Sequence, residues 1–256
     1  MDNHCPMSGP LLDGIELKHG PANLLRRFFS RADQETKGRG VSLSFASLDD
    51  LVEVNKSNSE TWRPLFPIFN PNLSGITSET GFALLGRDSS GEVVVTQAAR
   101  FYDWDDACLF DEVTSLRMFY ADTKAAFERG DRCEIATPIA HGISGHVVFS
   151  GGGWYRRDYR GKGFSVILPR ISRAYAFTRW NSDFTISIMA DAVVAGGMAQ
   201  RCGYTNIELG TVDFVGSPLG AVRGALVWMG SKQLLSDLDA FFDDHRDRSN
   251  QTGSAI

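Results

Sequence analysis

Trp154-Tyr155-Arg156-Arg157-Asp158-Tyr159-Arg160-Gly161-Lys162-Gly163-Phe164-Ser165 joins two segments of different periodicity, and its reading decides the fold. Before it, His146-Val147-Val148-Phe149 opens a strand that runs through Gly151-Gly152-Gly153 to Trp154-Tyr155. Three glycines weaken a strand and mark a bulge or a close backbone approach. After it, Phe164, Ile167, Leu168, Ile171, Ala174 and Tyr175 recur at helical spacing. A strand that passes through a short glycine loop straight into a helix gathers unpaired N–H groups around one point, where the helix dipole adds about half a positive charge. A phosphate fits that point. Gly161 and Gly163 let the chain turn sharply and let a pyrophosphate approach, while Arg156, Arg157, Arg160 and Lys162 set four positive charges against Asp158. Pro169 falls early in the helix and is expected to bend it.

Two other phosphate loops do not fit. A Walker loop needs Ser or Thr after its Gly-Lys pair, and Lys162 is followed by Gly163. A dinucleotide fingerprint needs a third glycine where Val166 stands, in a repeated strand-helix-strand order that this chain lacks.

Outward from the loop, residues 184–189 read as a strand, 193–202 as a short helix closed by Gly203, and 207–214 and 224–229 as two more strands. Upstream, Val41-Ser42-Leu43-Ser44-Phe45 alternates as a strand, and Ser47 is placed to cap a helix that begins Leu48-Asp49-Asp50. Runs at 81–86 and 93–101 flank Arg87-Asp88-Ser89-Ser90-Gly91, a hairpin turn by composition. Residues 105–142, with a helical stretch at 114–128, read as an insertion between the third and fourth strands. The first 40 residues read as a tail or short helical arm with an amphipathic patch at 24–29, and the polar end, 243–256, as a flexible tail. The fold class is therefore α/β (α+β), a mixed sheet with helices on its faces.

With Arg160, Gly163 and Ser165 at its fixed positions, the loop resembles the pyrophosphate loop of the N-acetyltransferase superfamily abbreviated GNAT, whose pattern is Arg or Gln, x, x, Gly, x, then Gly or Ala. Ala195-Gly196-Gly197-Met198-Ala199-Gln200-Arg201-Cys202-Gly203-Tyr204 resembles the family's helix that ends in Gly-Phe. The resemblance is specific over 146–208 and rests on element order alone over 41–101. It implies a central mixed, mostly antiparallel sheet of six or seven strands flanked by helices, in one acyl-coenzyme-A N-acyltransferase-like domain over 41–242. It implies acetyl-coenzyme A or another acyl-coenzyme A as co-substrate. The residues expected to hold it are Trp154, Tyr155, Arg160, Gly161, Lys162, Gly163, Phe164 and Ser165. The implied reaction is direct transfer of the acyl group to an amine of a small molecule, amino acid or peptide. Backbone N–H groups near Trp154 and Tyr155 would hold the thioester carbonyl. Two departures stand out: Ala199 occupies a position where many members carry a Tyr that protonates the leaving thiolate, and Ala192 one where Asn is common.

Direct attack needs a neutral amine, hence a base, and a proton donor for the sulfur. Glu134 and His146 are candidate bases if the insertion closes over an acceptor pocket, and Tyr204 is a candidate hydroxyl. Each also fits a plain role: Glu134, Glu112 and Asp111 as solvated loop acids, His141 and His146 as ordinary loop or strand histidines, Tyr204 as a core residue at a helix-to-strand corner. Trp62, Phe66, Phe69, Phe101, Tyr102 and Trp104 would line an acceptor pocket or fill the core. Two other classes stay open: a catalytically weak or inactive coenzyme-A-binding regulatory module of the same fold, and a structural protein without a ligand.

Bulk properties agree with this frame. The 256 residues suit one large domain that buries roughly three quarters of its unfolded surface. At 43% hydrophobic and 22% charged, the chain is of ordinary globular composition. A net charge of −5 argues against a general nucleic-acid binder. Cys5, Cys108, Cys133 and Cys202 lack metal-ligand spacing, so no metal site or disulfide framework is expected. Neither a signal peptide nor a membrane span is expected, so cytoplasm is the default address. Oligomeric state stays open, a homodimer included.

Overall fold

In the computed structural model, the described residues are 11–216 and 219–241. The first ten residues and the expected tail at 243–256 lie outside them. The chain runs α1 (Ala22–Gly38), β1 (Ser42–Ala46), α2 (Leu48–Ser57), α3 (Pro71–Ser74), β2 (Gly81–Arg87), β3 (Val93–Trp104), α4 (Leu109–Thr114), α5 (Thr123–Glu128) and β4 (Arg132–Ile135). It continues as β5 (Gly145–Tyr155), α6 (Phe164–Trp180), β6 (Phe184–Ala190), α7 (Asp191–Ala195), α8 (Met198–Arg201), β7 (Asn206–Gly216), β8 (Gly220–Gly230) and α9 (Ser231–Ala240). Ser47 caps α2 as expected: its hydroxyl accepts from the Asp50 N–H at 3.0 Å, and Asp50 accepts from the Ser47 N–H at 3.2 Å.

The strands form one sheet in the order β1-β2-β3-β5-β6-β8-β7-β4. All neighbouring pairs are antiparallel except β5 and β6. Eight strands stand where six or seven were expected. The eighth is β4, from the inserted segment, which pairs with β7 in the register Cys133↔Phe214. Its alternation of exposed Arg132 and Glu134 with buried Cys133 and Ile135 is genuine, but four residues are too few for a period to stand out.

Successive side chains of a strand point to opposite faces, so the sheet separates two apolar cores. On one face α1, α6 and α9 cover Val148, with Phe28, Ile171 and Leu238 fully buried. On the other, Val147 and Phe149 meet Leu51, Phe69, Phe119 and Phe214.

Three sequence expectations are corrected. Of the two alternatives for the first 40 residues, the helical one holds over 22–38, but as a helix packed into the core rather than a free arm: Leu25, Phe28, Phe29, Ala32 and Thr36 are a buried stripe at helical spacing. The helix expected over 114–128 is present only over 123–128, as α5, while α4 ends at Thr114. The backbone of buried Leu116 turns left-handed at φ 64°, and Asp122 starts α5 by accepting from the Ala125 N–H at 2.9 Å. The helix expected over 193–202 is split at Gly196-Gly197, where Gly197 has φ 75°.

Candidate active site

The parallel ladder between β5 and β6 is short, from Val147↔Phe184 to Phe149↔Ile186. Beyond it the two strands separate. On its other edge β5 bulges against β3: Thr96 faces Trp154 and Ala98 faces Gly151, so Gly152 and Gly153 stand opposite Gln97 alone. Gly152 has φ 64°, and a Cβ there would lie 3.0 Å from the Ala98 Cβ, so only glycine suits the position. Two polar side chains hold the bulge. Thr96 Oγ1 donates to the Gly152 carbonyl at 2.8 Å, and the buried Gln97 amide donates to Ser150 Oγ at 3.2 Å.

A cavity of about 330 Å³ occupies the gap between the separated strands. Ser150, Gly151 and Tyr155 line it from β5, and Ser187, Ile188 and Met189 from β6. Pro169, Met198, Cys202 and Tyr204 reach it from one face of the sheet, and Trp62, Phe66, Phe69 and Val222 from the other. The cavity therefore passes through the sheet.

The loop follows in sequence from Tyr155, the last residue of β5. Gly161 and Gly163 adopt φ 76° and 80°, and Gly163 leads directly into α6. The N–H groups of residues 161–165 donate no hydrogen bond to the described residues. Arg160 Nε donates to the Tyr155 carbonyl at 3.1 Å, which ties the loop to a cavity-lining residue. Of the four loop cations, Arg156 is occupied by ion pairs with Asp88 (3.0 Å) and Asp158 (2.8 Å). Those bonds hold the Arg156 guanidinium charged, while the Asp158 carboxyl is held below its ordinary range chiefly by Arg156. Arg157, Arg160 and Lys162 form no ion pair among the described residues. Lys162 Nζ stands 4.1 Å over the Tyr159 ring. A fifth cation, Arg39 at the end of α1, was not anticipated; its Nε lies 3.7 Å from where a Cβ on Gly163 would be.

Pro169 lies in the second turn of α6, where it has no N–H to give the Ser165 carbonyl. That carbonyl is met instead by the Cys202 thiol at 3.4 Å. One residue on, Arg170 Nη1 donates to the Val166 and Arg201 carbonyls at 2.7 and 2.8 Å, so the bend is tied to α8. Burial pushes the Cys202 thiol up despite the nearby cations, led by Arg173, so it stays protonated. Arg173 is fully buried; it donates to the Cys202 carbonyl and to Asp237 at 3.4 Å, and its guanidinium lies 4.7 Å over the Tyr204 ring. Tyr204 Oη is buried without a hydrogen-bond partner among the described residues. Burial raises the Tyr204 and Tyr155 phenols above their ordinary range, which leaves both as proton donors.

Among the candidates for chemistry, only Tyr204 reaches the cavity. Glu134 is exposed on β4 at the far edge of the sheet. His146 begins β5 at the opposite end from the loop, where its N–H donates to Asp183 at 3.0 Å and its ring meets Phe101. There it shares exposed surface with Asp103 and Asp105, their ligand-type atoms all within 4.8 Å of one another. Neither Glu134 nor His146 lines the cavity. Of the eight residues expected at the co-substrate, Tyr155 lines the cavity and 160–165 form the loop, whereas Trp154 is buried against Trp62, rings stacked at 5.5 Å. Trp62, Phe66 and Phe69 line the cavity; Tyr102 and Trp104 are core, and Phe101 stacks on Trp180. Gln97 and Ser150 were missed, although Thr96-Gln97 is a polar pair within the otherwise apolar run 93–99, and that is a readable signal.

No family model matches the sequence, and no curated protein does. Solved structures give distant likenesses. The aminoglycoside acetyltransferase AAC(6')-Ib with coenzyme A and kanamycin is 14% identical, covering 75% of this chain and 96% of its own, at TM-score 0.41. The dodecameric spermidine N-acetyltransferase of Vibrio cholerae is 12% identical over 76% and 96%, at 0.44. An uncharacterised protein of Bacillus halodurans is 12% identical over 78% and 88%, at 0.43. At these levels the likenesses give this chain neither a residue role nor a substrate. The chain's own strand order, its single parallel pair that parts after three residues, and the glycine loop heading α6 give it a GNAT-like fold.

Proposed function

We propose that the chain is an acyl-coenzyme-A-dependent N-acyltransferase, most simply an N-acetyltransferase, that passes the acyl group directly to an amine. The observation that carries this reading is the cavity between β5 and β6, tied through the Arg160–Tyr155 bond to a loop that, among the described residues, has free N–H groups and three cations without ion pairs. That donor set fits a diphosphate: 161–165 and the start of α6 supply N–H groups and dipole, and Arg157, Arg160 and Lys162 supply charge. On the side facing β6, the main-chain groups of β5 beyond Phe149 have no ladder partner, which suits an amide-bearing arm laid along the strand. The bulge at Gly152 and Gly153 suits backbone contact with a thioester carbonyl, and Tyr204 Oη is a protonated hydroxyl that makes no well-formed hydrogen bond among the described residues.

Acetyl-coenzyme A at 100 times its dissociation constant should stabilise the chain by about 2.7 kcal/mol, or roughly 5–11 °C in melting temperature. Arg160→Glu removes a charge-assisted phosphate contact of about 1.5–3 kcal/mol and should weaken binding about ten- to a hundredfold. Absence of any shift, together with indifference to Arg160→Glu, rejects the reading.

A regulatory module that binds coenzyme A without turnover has one observation in its favour: buried Ala199 at the position where the resembled family often carries Tyr. It predicts the thermal shift with no thiol release against any amine.

A further inference from the structure

We infer that the acceptor is an apolar aromatic amine of low basicity, an aniline-type nitrogen that arrives uncharged, and not a polycation. This rests on the acyltransfer reading and adds the substrate class.

The first ground is charge. Among the described residues that line the cavity there is no Asp, Glu, His or Lys, and the only formal charge is that of Arg63, which is exposed. A polyamine or aminosugar entering that space would lose water from its ammonium groups and meet no anion, at a cost of several kcal/mol for each. Arg63 adds repulsion. The charged groups packed beneath Tyr204 and Cys202 are Arg170, Arg173 and Asp237, and Asp237 is already engaged by both arginines.

The second ground is proton inventory. The lining groups with a titratable proton, besides Arg63, are Tyr155, Cys202 and Tyr204, and burial leaves all three protonated. None can take a proton from an ammonium. An alkyl amine with a lysine-like pKa near 10.4 is about one part in 2,500 neutral at pH 7, whereas a ring-conjugated nitrogen is neutral already. No base is then needed. The nitrogen lone pair forms the N–C bond, the C–S bond breaks with its pair on sulfur, and the proton leaving nitrogen ends on that sulfur, directly or by relay through Tyr204 Oη. Amine and thioester become amide and thiol, with no other reactant.

The third ground is shape. Trp62, Phe66, Phe69 and Phe149 wall the side of the cavity away from α6, and Trp62 is held flat against Trp154 at an interplanar angle of 15°. Flat apolar walls favour a planar apolar guest.

Thiol release from acetyl-coenzyme A by the full chain, with 4-methylaniline, spermidine and kanamycin as acceptors, tests the class. The expected kcat/KM for 4-methylaniline is at least about tenfold above either polycation, and is flat between roughly pH 6.5 and 8.5. Faster turnover of spermidine or kanamycin overturns the inference and leaves acyl transfer standing. A thermal shift with acetyl-coenzyme A but no thiol release from any amine overturns the inference in favour of the regulatory module. Loss of the thermal shift as well removes the acyltransfer reading beneath it.

Discussion

Tyr204 buries a hydroxyl that makes no well-formed hydrogen bond among the described residues, with only the Arg173 and Ser150 side chains beside it, an arrangement that costs stability unless the group serves the cavity. Tyr204→Phe should therefore leave the melting temperature unchanged or raise it, since an unpaired buried hydroxyl costs about 1–3 kcal/mol. If Tyr204 relays the proton to sulfur, the same change should lower kcat by about a hundredfold. An unaltered kcat would remove it from the chemistry. Cys133 makes a second residue-scale prediction. Burial, followed by the charges of Asp213 and Glu134, pushes its thiol from 9.0 up to about 12, so the folded chain holds a proton that the unfolded chain releases near 9. The stabilisation is fully present below about pH 9 and is lost as pH rises toward 12. Melting curves across that window should fall more steeply for the natural chain than for Cys133→Ser, and equal slopes would contradict the assignment.

At the scale of elements, α6 combines a proline in its second turn with a thiol that takes over the orphaned carbonyl. Pro169→Ala restores the missing N–H and removes a penalty of up to about 3 kcal/mol, so the melting temperature should rise. Because Pro169 also walls the cavity, the dissociation constant for acetyl-coenzyme A should rise with it. A variant that is more stable and binds equally well would show that the bend does not shape the site. This element also shows why part of the site was readable. The loop and the start of α6 are contiguous, so local order alone brings Gly161, Gly163 and the cations together. The cavity draws on strands far apart in sequence, and no spacing brings Gln97 to Ser150 or Cys202 to Ser165. Short elements escape for another reason: four residues of β4 carry only two inward side chains, and breaks at Leu116 and Gly197 depend on backbone angles that periodicity does not record.

For the whole molecule, the two-core plan makes α1 a structural member and not an appendage. Leu25, Phe28 and Phe29 are each at most 2% exposed, and burying each contributes about 1.5–3 kcal/mol. Their sum is comparable with the entire stability of a typical domain, about 5–15 kcal/mol. A chain beginning at Val41 should give no cooperative melting transition, as followed by near-ultraviolet circular dichroism. A cooperative transition near that of the full chain would mean that α6 and α9 close the core alone. The sequence showed the amphipathic patch at 24–29 but not that it is core, because Arg26, Arg27, Arg31, Asp33 and Glu35 are interleaved with a narrow apolar stripe.

The two ends of the sheet have a consequence of their own. The outermost strands are its shortest, five residues in β1 and four in β4. β1 is flanked by the 3₁₀ turn Leu11–Gly14, and β4 shows charged Arg132 and Glu134 to solvent. Short, shielded or charged margins are poor templates for recruiting a further strand. Self-association of this chain by sheet extension, whether into an ordered dimer or into an amyloid-like stack, is thus disfavoured at both margins, and a second copy would have to meet the first across helix and loop surface.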